Sequence, residues 1–425
     1  MSTDQPRSVR GSATVWVAVG LAVYGLSNFV FLAVAGRGLG PAGSAPVAVA
    51  WTVLNAIGIG LFQPLEQEVG RRLAADRARN AGTSLLGALR FSAAMLGALA
   101  LLGLLLHAPI ADAFFARTRE MVLVVVLGLL GQALAYYARG ILAGSDSFAR
   151  YGAQLAADGA LRIVLVLALF WSGSTSRLAY GLVLVVAPVA ATLLTVAVRR
   201  MWTVAVAHRA GGLSGPFAPL VAASISAQAL ANMGPVAVAA LVAPDQQALS
   251  GTFVAAVTVA RIPLFVFAAL QAVILPALAA VVAERRVAEF VSTVRRATLA
   301  TVALAVLGVG GVALLGQWIM HLVYGEEFTV PQLTMVLIAV SGGLFMIAQV
   351  LAQALLAHHA ERVVALGWTL GFTVSLVTLL VPASPDVRVA LALCTGALAA
   401  GIAHAAGLRL VMARWARPLA EEITR

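Results

Sequence analysis

Twelve predominantly apolar stretches follow one another along the chain, with short polar segments between them. They lie at about 14–35, 45–65, 83–106, 119–138, 153–171, 178–198, 217–242, 250–276, 297–320, 331–356, 363–381 and 389–412. About 20 apolar residues in a helix cross the hydrocarbon of a bilayer, because each residue adds 1.5 Å. The pattern therefore predicts an all-α polytopic membrane protein with twelve transmembrane helices.

Composition supports this prediction and excludes several kinds of enzyme. The chain is 61% hydrophobic and 11% charged, with a mean hydropathy of +0.98, whereas soluble domains are about 25% charged. It contains no lysine, so it cannot form a lysine-dependent phosphate loop or Schiff base. Cys394 is the single cysteine, and the six histidines are scattered. We therefore expect no enzyme, no metal site and no cofactor.

The arginines are distributed unequally between the two sides of the membrane. Alternate polar segments carry 19 arginines on the side shared by both termini and five on the other side, with four more within the spans or at their ends. Cytoplasmic loops are enriched in basic residues. The sequence predicts a bacterial cytoplasmic (inner) membrane protein with both termini in the cytoplasm. The basic excess is explained by topology, so we expect the lipid bilayer as a partner and no nucleic acid.

Weak internal similarity occurs at a spacing of about half the chain. Pro64 matches Pro276, and the Leu101-Leu102-Gly103 run matches Leu314-Leu315-Gly316, at offsets of 212 and 213. We expect two six-helix lobes, 1–205 and 206–425, joined through 199–216. Because six is an even number, the lobes would share an orientation and be related by a pseudo-two-fold axis along the membrane normal.

Polar residues inside the predicted spans of the first half indicate which helix faces avoid lipid. In the second span, Thr52, Asn55, Gln63 and Glu66 fall within about 80° of one another at 100° per residue. The first span places Asn28 on a polar face with Tyr24 and Ser27. Polar side chains in lipid are costly unless they face protein or water. These faces therefore predict contact with a polar interior.

The second half repeats this arrangement. Gln228 and Asn232 share a face of the seventh span, and the eighth span carries Arg261 shortly before Pro263. Equivalent positions in both halves favour a central cavity, although each residue could instead bridge neighbouring helices through hydrogen bonds. Arg261 has no acidic residue nearby in its own helix, so it is a candidate for binding an anion, with an ion pair to another helix as the alternative.

Three further charged residues lie within or near the spans. Asp158 and Arg162 are one turn apart in the fifth span, with the acid first, which is the favourable order for a pair within one helix. Glu66 on the polar face of the second span is a candidate for proton or cation coupling. We include Asp158 and Arg162 as alternative candidates for coupling or gating.

Four short motifs along the chain are similar to those of one known family. Gly36-Arg37-Gly38-Leu39-Gly40-Pro41 resembles the Arg-x-Leu-Gly-Pro loop that follows the first helix in polysaccharide flippases of the multidrug/oligosaccharidyl-lipid/polysaccharide exporter superfamily. Similar agreement is found at Pro64-Leu65-Glu66-Gln67-Glu68, from Arg139-Gly140 to Tyr151, and at Arg261-Ile262-Pro263-Leu264 with Leu275-Pro276. The resemblance covers essentially the whole chain, and it adds Arg37 to the candidates for gating.

The resemblance implies a flippase for O-antigen or exopolysaccharide repeat units. Such a protein passes a polyprenyl-diphosphate-linked oligosaccharide from the cytoplasmic to the outer leaflet by alternating access. Arg261 would then bind the diphosphate, and the sugar would meet the polar positions Asn55, Gln228 and Asn232, with Thr52 and Asn28 nearby. This function implies a polysaccharide polymerase or glycosyltransferases as partners, in addition to the lipid-linked oligosaccharide.

Three other functions stay open. A cation-coupled multidrug exporter of the same fold would need a carboxylate in its cavity, for which Glu66 is the candidate. A major-facilitator transporter also has twelve spans, but only Gly70-Arg71-Arg72 represents the basic loop expected after its second helix. A scramblase or an assembly partner without transport activity is the third alternative.

Overall fold

The computed structural model describes residues 7–79, 86–197, 201, 204 and 217–423, and every regular element within them is helical. In chain order the α-helices are α1 (Arg7–Ile57), α2 (Gln63–Arg79), α3 (Leu86–Leu105), α4 (His107–Phe114), α5 (Glu120–Gly144), α6 (Phe148–Trp171), α7 (Arg177–Thr195), α8 (Phe217–Leu241), α9 (Gln247–Ala260), α10 (Ile262–Ala283), α11 (Val287–Tyr324), α12 (Gln332–Ala357), α13 (Glu361–Thr378) and α14 (Pro385–Ile423). A helix satisfies its own backbone hydrogen bonds, which is required of a segment that crosses lipid. The expectation of an all-α membrane protein is confirmed.

Nine helices in the described part of the chain are long and apolar enough to span a membrane. The number is ten if α3 and α4, which meet at an angle of 82°, form one broken span. The first of the nine, Val15–Ala75, is 61 residues long and therefore contains both of the first two predicted spans. The chain is thus a multi-pass membrane protein.

The loop that we expected between the first two spans is instead part of α1. The helix continues through this region and is interrupted at Gly40, which has φ 68° and ψ 175°. A residue without a side chain adopts this backbone conformation without strain. Pro41 follows directly, at a position where a missing backbone N–H is tolerated because a helical segment begins there. The Leu39-Gly40-Pro41 motif therefore marks a helix break.

The eighth predicted span, 250–276, is not one continuous helix. The structure divides it into α9 and α10, with Arg261 between them at φ −89° and ψ 0°. Pro263 lies in the first turn of α10, where a proline fits because the first N–H groups of a helix have no partner within it. The proline thus begins a new helix here and does not merely disturb one.

The described residues form two compact units, and the helices of each pack closely within it. The first unit comprises Met1–Ala218 and Pro244–Gly251, and the second comprises Pro219–Ala243 and Thr252–Arg425. The expected boundary at 205/206 and nearly all of the expected join at 199–216 lie outside the described residues.

Small residues bring α1 and α6 together in the first unit. A Cβ atom added to Gly152 would lie 2.2 Å from the carbonyl oxygen of Trp16, and one added to Gly159 would lie 2.8 Å from that of Val23. Glycine allows helix backbones to approach this closely in membrane proteins. Contacts of α5 with α2 and α7, and of α6 with α7, complete the packing that positions the polar side chains.

In the second unit, α12 and α14 form the central pair. α12 also packs on α10 and α11, and α13 packs on α14. Apolar side chains of α10, α11 and α12 form a shared core that includes Leu278, Phe290 and Val350.

Candidate functional site

The first unit contains buried charges that are paired across helices. Arg139 of α5 donates from Nε to Oε2 of Glu66 at 3.0 Å, and the Tyr151 hydroxyl donates to the other carboxylate oxygen at 2.7 Å. The side chains of Arg139 and Glu66 are 4% and 13% exposed. Both oxygens of Glu66 are therefore engaged, and a coupling cation or proton would have to compete with Arg139 for this carboxylate.

A second buried pair lies in α6. Arg162 donates from Nη2 to Oδ1 of Asp158 at 2.9 Å, and both side chains are at most 4% exposed. This is the pair within one helix that the spacing predicted. Arg162 also donates from Nη1 to the side-chain oxygen of Asn28 in α1, which accepts a further hydrogen bond from Nε1 of Trp51 at 3.1 Å. Asn28 thus links two parts of α1 to α6.

Tyr24 lies between the two ion pairs. Its ring centroid is 5.2 Å from the guanidinium carbon of Arg162 and 6.0 Å from that of Arg139, distances at which a cation is attracted to an aromatic face. Arg139 also lies 4.0 Å from the centroid of the Tyr136 ring. The two ion pairs, together with Tyr24, Asn28 and Tyr151, therefore form one polar network inside the first unit.

A π-helical turn, Gly58–Phe62, lies between Asn55 and Glu66, two members of the predicted polar stripe. A π-helical turn contains more residues than an α-helical turn, so it rotates the positions that follow it. The regular period of 100° per residue therefore does not hold across this turn, and a shared face of Thr52, Asn55, Gln63 and Glu66 stays a prediction. Thr52 and Asn55, which precede it, donate to carbonyl groups of their own helix, at 2.8 and 2.9 Å.

The candidate residues of the second unit form a smaller cluster around the break at Arg261. This residue is half-buried and donates to the carbonyl oxygen of Ala231 and, at 3.4 Å, to the side-chain oxygen of Asn232. Asn232 in turn donates to the side-chain oxygen of Gln228 at 3.0 Å. Among the described residues no carboxylate pairs with Arg261, so its positive charge is balanced only by neutral dipoles.

Sequence reasoning brought some of these residues together and missed others. Arg261, Asn232 and Gln228 were expected on neighbouring faces and are in contact. Arg37 is exposed and stays a prediction for gating. Arg139 and Tyr151 were noted only as part of a motif. Gln154, whose side-chain oxygen accepts a hydrogen bond from Arg139 at 3.5 Å, was missed. Its spacing of four and eight residues from Asp158 and Arg162 places all three on one helix face.

Among the described residues, no group of His, Cys, Asp and Glu side chains could hold a metal ion. The buried acids Glu66 and Asp158 of the first unit are paired with arginines, whereas Arg261 of the second unit is hydrogen-bonded to neutral groups and pairs with no described carboxylate. Chemically, the first arrangement stabilises helix packing or responds to protonation, and the second can donate hydrogen bonds to an anionic group.

Two proteins of Mycobacterium tuberculosis are similar to this chain over nearly its whole length. No protein-family profile matches the sequence. The uncharacterized protein Rv3630 of Mycobacterium tuberculosis is 26% identical over 421 residues, covering 92% of this chain and 90% of that protein. The uncharacterized protein Rv1510 of the same organism is 26% identical over 430 residues, covering 94% and 92%.

Solved structures are similar over nearly the whole chain. An inward-facing multidrug resistance MATE family transporter of the MOP superfamily superposes with a TM-score of 0.70 and 13% identity, over 95% of this chain and 99% of the other. The Vibrio cholerae MATE transporter VcmN, as a mutant, gives a TM-score of 0.60 and 16% identity, over 96% and 98%. These neighbours are transporters and not enzymes. The chain has the fold of these MATE transporters.

Proposed function

We propose that this protein is a secondary transporter of the bacterial cytoplasmic membrane that exports an amphipathic substrate by alternating access, with both termini in the cytoplasm. The observation that carries the proposal is the fold, which matches MATE transporters over 95% of the chain. Access that alternates between the two faces requires helical units with two stable arrangements. The major-facilitator alternative assumed a different fold and is not retained.

Cation-coupled export of drug-like molecules is the function that agrees best with the solved neighbours. The neighbour with a TM-score of 0.70 is named for multidrug resistance. The candidate coupling group Glu66 is paired with Arg139 and Tyr151. Coupling at this carboxylate therefore requires the ion pair to open.

A flippase for a polyprenyl-diphosphate-linked oligosaccharide is the second candidate, and Arg261 is the observation that favours it. A guanidinium always carries its charge and binds phosphate oxygens with two parallel hydrogen bonds. At Arg261 no described carboxylate competes for these donors. Outward movement of a diphosphate with two charges would also gain about 4.6 kcal/mol per 100 mV of inside-negative potential.

Reconstitution in proteoliposomes distinguishes the two classes. One set of vesicles receives ethidium and an imposed proton or sodium gradient. Another set contains a fluorescent polyprenyl-diphosphate-linked oligosaccharide, and fluorescence quenching measures how much of it lies in each leaflet. For the exporter we expect gradient-driven ethidium movement that survives Arg261→Gln. For the flippase we expect leaflet exchange that falls at least about tenfold in Arg261→Gln, the loss of about 1.4 kcal/mol of binding.

Arg90→Gln is the matched control, because Arg90 is an exposed arginine on α3. It should leave both activities unchanged. Movement of neither probe by a folded protein, with or without a gradient, would contradict the proposed function and favour an assembly partner without transport activity.

A further inference from the structure

A fully buried histidine lies in the interior of the second unit. His404 of α14 is 0% exposed. It lies within the apolar span Pro385–Trp415. An ionisable side chain inside such a span is costly to charge and is by default a candidate for function.

Both ring nitrogens of His404 face backbone carbonyl groups of other helices. Nδ1 lies 3.2 Å from the carbonyl oxygen of Ala348 in α12, and Nε2 lies 3.2 Å from that of Val364 in α13. A neutral imidazole carries one N–H, so it can donate to only one of these oxygens, and its other nitrogen then presents a lone pair to the second. The imidazolium form carries two N–H groups and donates to both.

The surrounding side chains hold the ring in this position. A Cβ atom added to Gly367 would lie 2.4 Å from Nε2, so the glycine provides the space that the ring occupies. The Trp368 ring packs against the imidazole at a centroid distance of 4.8 Å and an interplanar angle of 75°. Rotation of the ring away from either carbonyl is thus restricted by packing.

No charged side chain of the packed helices contacts this ring in the part of the chain that the structure describes. α12 contains no acidic, basic or histidine residue between 332 and 357. On α13, Glu361 lies 3.9 Å from His359 at the helix start, and Arg362 is next to it. On α14, Asp386 accepts from Thr334, Arg388 donates to Ala383, Cys394 donates to Leu337, and Arg409 and Arg414 follow nearer the C-terminal end. The carbonyl groups are therefore the groups that respond to a proton on His404.

We propose that His404 is a proton-binding site through which proton binding ties α14 to α12 and α13 at the same time. Loss of the proton leaves one of the two carbonyl groups without its donor, so the contact of α14 with one neighbouring helix weakens. The proton is then the coupling ion of the transporter. This assignment rests on the proposed function of a cation-coupled transporter. Glu66 and Asp158 differ from His404, because each already has an arginine partner.

Proton binding is tested first without any substrate. Protein labelled with ¹⁵N at histidine is placed in lipid nanodiscs and titrated between pH 5 and 9, and the His404 signals are assigned by their loss in His404→Gln. We expect both ring nitrogens to change from the imidazolium to the neutral chemical shift within this range. A single neutral tautomer throughout the range overturns the proposal.

A second variant keeps the assignment independent of whether His404→Gln folds. Gly367→Ala retains His404 but places a methyl group against Nε2, so the same signals should move and titrate at a different pH. Signals that neither move nor titrate in Gly367→Ala overturn the proposal. His107→Gln, which removes an exposed histidine from α4, should leave the His404 signals unchanged.

Transport separates failure of this site from failure of the proposed function. Ethidium movement in proteoliposomes is measured with and without an imposed pH gradient. We expect His404→Gln to lose the response to the gradient by about tenfold or more, whereas His107→Gln keeps it. Equal gradient responses in wild type and His404→Gln overturn the coupling role. If ethidium does not move in the wild type while His404 titrates, the transport proposal fails and the proton site stands.

Discussion

The carboxylate of Glu66 and the guanidinium of Arg139 form a buried ion pair at 3.0 Å although 73 residues separate them in the chain. This contact joins two of the motifs that the sequence comparison had picked out separately, at the start of α2 and near the end of α5. The pair therefore has a structural role in the first unit before any coupling role is considered.

Removal of Arg139 should destabilise the first unit. Arg139→Gln leaves a buried carboxylate without its cation, which costs about 3 to 5 kcal/mol. The additional change Glu66→Gln should recover a large part of this loss, because no uncompensated charge then stays buried. Unfolding followed by tryptophan fluorescence in detergent is measured for Arg139→Gln, for Glu66→Gln and for the double variant, which together complete a double-mutant cycle.

Arg71→Gln is the comparison for this pair. Arg71 also binds an acid, Glu68, but its side chain is 60% exposed, and exposed pairs contribute about 0 to 1 kcal/mol. Equal effects of Arg71→Gln and Arg139→Gln would contradict the view that burial makes the Glu66 pair important.

Asn28 and Asn55 should differ in their effect on stability, although both were predicted to bind substrate. Asn28→Ala removes the acceptor for the buried Arg162 and the half-buried Trp51, and a buried donor left unpaired costs about 1 to 3 kcal/mol. Asn55→Ala loses one bond to its own helix. Thermal unfolding should therefore shift for Asn28→Ala and change little for Asn55→Ala. A transport defect in Asn55→Ala without a stability defect would support its predicted role in substrate contact.

Gly152 should not tolerate a methyl group. In Gly152→Ala the new Cβ would lie 2.2 Å from the Trp16 carbonyl oxygen, so α1 and α6 must separate, at a cost of about 1 to 3 kcal/mol. Gly25→Ala on α1 is the matched control, because a Cβ there meets nothing within 4 Å. The yield of monodisperse protein and its thermal midpoint are the measurements. A midpoint that Gly152→Ala leaves at the wild-type value would refute this description of the helix contact.

Acidification should weaken the packing around His358, which follows the last residue of α12. Its ring lies 4.8 Å from the ring centroids of both Phe290 and Trp415. Burial, with a smaller effect of neighbouring His359, lowers the pKa of His358 from its ordinary value of about 6.5. The unfolded chain therefore binds this proton more readily, so the stabilisation is complete above about pH 6.5 and decreases as the pH falls towards the lowered pKa.

Thermal unfolding midpoints measured between pH 5 and 8 test the direction of this change in stability. His358→Phe keeps an aromatic ring and removes the titration, so its midpoint should fall less on acidification than that of the wild type. Midpoints of the His404→Gln variant over the same pH range separate the contribution of His404 from that of His358. A wild-type midpoint and a His358→Phe midpoint with the same pH dependence would exclude the His358 contribution.

Local sequence patterns predicted most of the helices of the fold. The apolar runs predicted helices in nearly every place where the structure has them, because length and apolar composition are what a bilayer selects. The pairing of Asp158 with Arg162 also followed from spacing, since four residues make about one helical turn. The structure departs from the regular α-helix that these patterns assume at Gly40, at Gly58–Phe62 and at Arg261.

By itself, then, the sequence determined that this is a helical membrane protein, which apolar segments form its helices, and which ionisable residues lie within them. Only the tertiary structure decided which partners those residues have. Helix packing brings Arg139 to Glu66 and places two carbonyl groups on His404, because contacts between helices depend on the approach of small residues and on the register of each helix. Periodicity within one helix does not contain that information.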